Sequence, residues 1–177
     1  GSAKIDGFTI TKGNANGASF ITINSKIFYR NNGGGINNLE SSPTLTNTNI
    51  KNNSANVGGG IFNIFSSPTI TNTNISNNSC SVYGGGIYNN SSSPIITNTT
   101  ISNNSTNNDG GGIYNFKSSP TLTNTTISNN SAYSNGGGIC NFNSSPTLTN
   151  TTISNNSAYN GGGGYNYASS PIITNTT

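Results

Sequence analysis

Isolated aliphatic residues, each followed by one spacer and an asparagine, recur along the chain, as in Ile113-Tyr114-Asn115, Leu122-Thr123-Asn124 and Ile127-Ser128-Asn129. No window shows the apolar spacing of an amphipathic helix, and the positions between are filled by Thr, Ser, Asn and Gly, which are poor helix formers. Alternation of period two predicts short strands instead, with the aliphatic residue and the asparagine pointing inward and the spacer pointing to solvent. Three such modules occur in each unit of about 26 residues, a period that signals the stacked coils of a solenoid. The unit is clearest in GGGIYNFKSSPTLTNTTISNNSAYSN, Gly110 to Asn135. Whole units begin at Gly33, Gly58, Gly84, Gly110 and Gly136, and another begins at Gly161 and runs to Thr177.

One aliphatic residue per strand cannot form a core within a coil. Stacking coils about 4.8 Å apart joins these residues into continuous columns, which predicts that Ile61, Ile87, Ile113 and Ile139 share one interior line. Asn63, Asn89, Asn115 and Asn141 are expected to stack beside them in a hydrogen-bonded ladder, as in cross-β assemblies. Corners are written in turn residues. Ser118-Ser119-Pro120 and its counterparts precede the second strand, where a residue without an N–H is tolerated. The Gly-Gly-Gly runs mark unusual dihedrals or close approach between coils. The predicted fold is an all-β parallel β-solenoid with three short strands per coil, forming a single domain over residues 1–177. Within it, residues 1–32 are expected to be an irregular first coil and 33–177 the tandem repeats, the last incomplete.

Composition removes several functional classes. Only 5% of residues are charged, the net charge is +3, and there is no His, Met or Trp. Lys4, Lys12, Lys26, Arg30, Lys51 and Lys117 are scattered and form no basic stripe, so nucleic acid is not an expected partner. No stretch is long and apolar enough to span a membrane as a helix. Asp6, Glu40 and Asp109 are the only carboxylates and fall in different coils. Without histidine or paired carboxylates the pattern predicts a non-enzyme with no catalytic residues, no metal and no cofactor. The glycine runs lack the lysine and the following helix of a phosphate-binding loop. Cys80 and Cys140 lie three coils apart, about 14 Å at the sheet spacing, which is beyond the reach of an internal disulfide.

The string GGGIYN followed by SSPTLTNTTISNNSA resembles the right-handed parallel β-helix repeats of bacterial extracellular proteins, including those related to the polymorphic outer membrane proteins. KIDGFTITKG, Lys4 to Gly13, resembles the strand that leads into such arrays. The resemblance implies a right-handed coil and a secreted or cell-surface location. It does not imply an activity, because such solenoids serve as adhesins, stalks, enzymes and scaffolds. Calcium-binding β-rolls need a repeated Asp that is missing here.

A repetitive surface is then the place to look for function. Around the inward residue of the second strand lie Thr44 and Thr46, Thr69 and Thr71, Ile95 and Thr97, Thr121 and Thr123, Thr147 and Thr149, and Ile172 and Thr174. Hydroxyls in one rank are expected about 6.6 Å apart, with ranks repeating about every 4.8 Å. This grid resembles the ice-binding face of antifreeze β-solenoids, and the resemblance implies crystalline water, ice or gas hydrate, as the partner. Thr126 and Ser128 with their counterparts form a less regular second candidate plane. The alternative is an extracellular adhesin or stalk whose outward aromatic ladder, Phe62, Tyr88, Tyr114 and Tyr165, binds a cell-surface glycan or protein or merely stacks. Unpaired strand edges at the ends of a solenoid also predict end-to-end self-association.

Overall fold

The structure, a computed structural model, describes residues 3–17, 20–23, 26–29 and 31–177, with the backbone alone at 20–23 and 26–29. Among these residues there is no helix. The chain winds into a solenoid whose coils stack through four parallel sheets of seven, six, six and five strands. Successive coils are offset by 25 or 26 residues, the separation of hydrogen-bonded partners in neighbouring coils.

We number the sides of a coil in chain order from its glycine run. The first side carries strands such as Ile61–Ile64 and Ile113–Phe116, and the second carries Thr69–Thr71 and Thr121–Thr123. The third carries Asn74–Ser76 and Thr126–Ser128. The fourth was not expected. It is formed by short strands such as Ser54–Val57, Ser79–Tyr83 and Ser131–Ala132. These strands hold no aliphatic-spacer-asparagine module, because they face the glycine run of their own solenoid wall. A Cβ added to Gly85 would lie 2.5 Å from the carbonyl oxygens of both Ser105 and Gly111. Only small inward residues fit there, and Ala55, Cys80, Thr106 and Ala132 are all buried.

The core follows the predicted columns. Ile61, Ile87, Ile113 and Ile139 pair in register along the first side, and Leu45, Ile70, Ile96, Leu122 and Leu148 do so along the second. All are buried, and Ile50, Ile75, Ile101 and Ile127 complete the cluster from the third side. Asn63, Asn89, Asn115 and Asn141 form the expected ladder, each Nδ2 donating to the Oδ1 of the next coil at 2.8 to 2.9 Å.

The asparagines that close the other two aliphatic-spacer-asparagine modules are not inward. Asn124 and Asn129 are exposed and sit at corners with φ of 49° and 55°, the left-handed region that asparagine tolerates. The corner moves the inward position one residue along, to Thr125 and Asn130. Thr125 donates its hydroxyl back to the Thr123 carbonyl at 3.1 Å. Asn130 and its counterparts form a second buried ladder. Asn104 Nδ2, for example, donates to Asn130 Oδ1 at 3.0 Å and to the Ile75 carbonyl at 2.9 Å. Paired in this way, buried amides avoid a penalty of about 1–3 kcal/mol per unsatisfied group.

The beginning of the chain is more regular than expected. Lys4–Asp6 pairs with Thr44–Thr46, Thr9–Thr11 with Asn49–Lys51, and Asn14–Ala15 with Ser54 and Ala55. Residues 4–15 therefore continue three of the four sides. The departure within 1–32 includes an antiparallel pair, Phe20–Ile23 against Lys26–Tyr29. Ser19 and Arg30 of the irregular stretch lie outside the described residues.

Candidate binding face

The second side presents the threonines. Parallel pairing aligns Thr46, Thr71, Thr97, Thr123, Thr149 and Thr174 in one unbroken column. The companion column runs Thr44, Thr69, Ile95, Thr121, Thr147, Ile172 in the same pairings. No register shift occurs along this sheet. Between the columns Leu45, Ile70, Ile96, Leu122 and Leu148 are buried and Ile173 of the last rank is exposed, while most of the threonines are half-buried by the ranks above and below them. Each side chain is thus held by a neighbour of the same shape, which restricts the χ1 of a β-branched residue further. Ile95 and Ile172 interrupt the outer column and are more than half exposed.

The rank that continues this array toward the beginning of the chain is charged. Lys4 Nζ lies 3.0 Å from Asp6 Oδ2, and Asp6 Oδ1 accepts a 3.0 Å bond from Asn47 Nδ2. The hydrogen bonds from Lys4 and then Asn47 hold the Asp6 carboxyl below its usual range. Beyond that rank, positions 44 to 174 of the two columns carry no charge. The third side is less uniform. The residues flanking its inward aliphatics run Thr9 and Thr11, Asn49 and Lys51, Asn74 and the buried Ser76, and then Thr and Ser at 100 and 102, 126 and 128, and 152 and 154.

A further exposed column borders the threonines, and the reading of Ser-Ser-Pro as turn chemistry passed over it. In every coil before the last, burial alternates backward through the proline: Ser67 is exposed, Pro68 buried, Thr69 half-buried, Ile70 buried and Thr71 half-buried. Extending the period-two pattern through a proline would have found it. The first serine of the pair faces inward at Ser66, Ser92, Ser118 and Ser144, all of them buried. Ser92 Oγ accepts the backbone N–H of Ser66 and donates to the Asn90 carbonyl.

The aromatic spacers of the first side are not an outward ladder, which corrects the expected placement of Phe62, Tyr88, Tyr114 and Tyr165. Phe62 and Tyr114 are 5% and 6% exposed, Cys140 in the same column is fully buried, and Tyr88 and Tyr165 are half-buried. The cause is the first glycine of each run. Gly58, Gly84 and Gly110 adopt φ of 66° to 73°, turning the preceding segment back across the spacer, and a Cβ at Gly110 would lie 2.6 Å from that of Tyr114. Tyr83, from the fourth side, stacks on Tyr114 at 4.6 Å between centroids. Phe62, Tyr88 and Tyr114 also stack on one another at 5.1 and 5.6 Å, nearly parallel. Their faces are therefore occupied by each other, and burial pushes the Tyr88 and Tyr114 phenols upward. The aromatic rings that do reach solvent on this side include Tyr167, which stacks on Phe142 at 4.5 Å.

The remaining carboxylates are apart. Glu40 is exposed at a corner, and Asp109 is buried in the fourth corner, where Oδ1 accepts from the Asn135 backbone N–H at 3.0 Å and its Nδ2 at 2.8 Å. Cys80 and Cys140 are free and buried.

The family model described as right handed beta helix region matches residues 6–177. No curated protein and no solved structure matches the chain.

Proposed function

The chain belongs to the right-handed β-helix family, and from that premise we propose that it binds crystalline water, ice or gas hydrate, through the threonines of its second side. The observation that carries this reading is the unbroken, in-register column Thr46, Thr71, Thr97, Thr123, Thr149 and Thr174, with a largely threonine column beside it. A crystal offers a periodic lattice and no concave pocket, so the complementary surface is periodic, rigid and open. Stacked coils supply the period. Mutual packing of the ranks supplies the rigidity, and a surface ordered before contact loses little conformational entropy on adsorption. Threonine joins a methyl, which does not compete for water, to a hydroxyl that anchors it, and ordered bridging waters bind almost as well as direct contacts. Lysine and aspartate impose their own hydration geometry, and the array holds none beyond the Lys4–Asp6 rank. Binding of ice or hydrate outside the cell is the natural setting for such a chain.

The test is growth inhibition and crystal shaping, for ice and for a gas hydrate, with the purified chain and with Thr71→Lys/Thr97→Lys/Thr123→Lys. The triple variant should keep its strand spectrum and lose at least about tenfold in activity, the effect of about 1.4 kcal/mol of adsorption free energy. Lysines placed at Thr100 and Thr126 on the third side should leave activity near that of the parent. If the unmodified chain neither shapes ice nor slows hydrate growth, the reading is wrong and the adhesin or stalk reading replaces it.

A further inference from the structure

We infer that the crystal-binding face is three hydroxyl columns wide, and that the outward serines of the Ser-Ser-Pro corners, Ser42, Ser67, Ser93, Ser119, Ser145 and Ser170, form the third binding column. This inference rests on the crystalline-water reading of the threonine face and specifies which further residues that face contains.

Three observations place the serines on it. First, they are exposed in every coil, and burial alternates through the proline from Ser67 to Thr71, so Ser67, Thr69 and Thr71 lie on the same side of the chain. Second, the serines form a chain of their own. Ser67, Ser93, Ser119, Ser145 and Ser170 each donate the backbone N–H to the serine Oγ of the preceding coil, at 2.8 to 3.0 Å. Third, the backbone ladder of the second side reaches the proline, since Thr69, Ile95, Thr121, Thr147 and Ile172 donate to the proline carbonyl of the coil before. Proline has no N–H, so on its other side the serine hydroxyls continue the inter-coil ladder in place of carbonyls.

This second role fixes the hydroxyl. Each of the Oγ atoms from Ser42 to Ser145 is pinned by an incoming N–H, so its rotamer is set by the solenoid, and from Ser67 to Ser145 the hydroxyl proton remains available to an outside acceptor. A pinned donor repeating with every coil meets the same requirement as the threonines: order established before the crystal arrives. At strand spacing the column widens a rank from about 6.6 Å to about 13 Å. It is also uniform. Serine stands beside Ile95 and Ile172, where the outer threonine column is interrupted, so each of those ranks keeps two hydroxyls flanking the isoleucine. On the opposite edge the face stops at the left-handed corner asparagines, such as Asn72 with φ of 50°.

The full chain carrying Ser67→Ala/Ser93→Ala/Ser119→Ala tests this. Its ice or hydrate growth inhibition should fall at least about threefold, equivalent to about 0.65 kcal/mol, at temperatures where circular dichroism shows it fully folded. Ser67→Thr/Ser93→Thr/Ser119→Thr, which keeps the acceptor for the neighbouring N–H and the outward hydroxyl, should retain at least the parent's activity. Ser79→Ala/Ser105→Ala/Ser131→Ala on the fourth side should change nothing. A folded alanine variant with parental activity, in a chain whose threonine variant has lost it, would overturn the serine column and leave the threonine face standing. Equal losses in the alanine and threonine serine variants would show a packing role only and overturn it as well. An inactive parent chain would bring down both readings together.

Discussion

Asn103 and Asn104 are neighbours in the chain and opposites in the coil, and the difference can be measured. Asn103 is exposed at a corner with φ of 55°. Asn104 is 1% exposed and stands in the middle of the buried ladder. Its Oδ1 accepts from the backbone N–H and the Nδ2 of Asn78, both at 3.0 Å, while its Nδ2 donates to Asn130 Oδ1 and the Ile75 carbonyl. Asn104→Ala therefore leaves two N–H hydrogens of Asn78 without an acceptor, that of the backbone and one of the pair on Nδ2, whose other hydrogen still reaches the Ile50 carbonyl; Asn78 is itself 1% exposed, so water does not replace the lost acceptor without opening the coil. At about 1–3 kcal/mol for each orphaned buried group, the variant should lose roughly 2–6 kcal/mol. Asn103→Gly removes an exposed side chain from a backbone that glycine adopts freely, and should stay within about 0.5 kcal/mol of the parent. Urea unfolding followed at the strand band gives both values, and amide exchange at Asn78 should accelerate only in Asn104→Ala. If the two variants unfold within about 1 kcal/mol of each other, the buried ladder does not hold the coils together as described.

Two further predictions follow from the corners and the buried thiols. Phe65 is 64% exposed yet held at φ of 48°, in a region that costs a side chain with a Cβ roughly 1–2 kcal/mol. Phe65→Asn should raise stability by about 1 kcal/mol in the same urea assay, and a loss instead would mean that the ring contributes packing the corner needs. The Cys140 thiol is pushed from 9.0 up to about 12, by burial first and by the nearby Asp109 second. The folded chain then keeps a proton that the unfolded chain releases, so this stabilising contribution is complete below about pH 9 and is lost as pH rises toward 12. Cys140→Ala should flatten the fall of the urea midpoint between pH 8 and pH 10.5 (about the span in which an unfolded thiol ionises). Some slope remains from Cys80, Tyr88 and Tyr114, which burial also pushes up; parallel profiles for variant and parent would refute the assignment.

The threonine face was legible from sequence because everything that defines it is local. Thr-Leu-Thr declares its two exposed positions by alternation, and a constant repeat length carries that alternation from coil to coil without slippage. Pro120 announced a strand start for an equally local reason, the missing N–H. The serine column was hidden because proline suggested that the strand begins after it, whereas the inter-coil ladder continues through the Ser119 and Ser145 side chains. The aromatic ladder misled in the opposite direction. Tyr114 has the spacing of an outward residue, and nothing within Ile113-Tyr114-Asn115 indicates that a glycine corner and Tyr83 lie across it.

Period, turn residues and alternation were thus enough to settle a stacked all-β coil, its aliphatic columns and the in-register threonines, since each follows from steric rules acting over a few residues and repeated. The number of sides, the direction of Asn124 and Asn129, and the burial of Phe62 and Tyr114 were decided only when the coil closed on itself. Closure forces the chain through left-handed corners and brings the fourth side against the glycine run. Which side chains a returning segment covers depends on contacts between residues far apart along the coil, and such contacts leave no trace in the spacing of hydrophobic and polar positions.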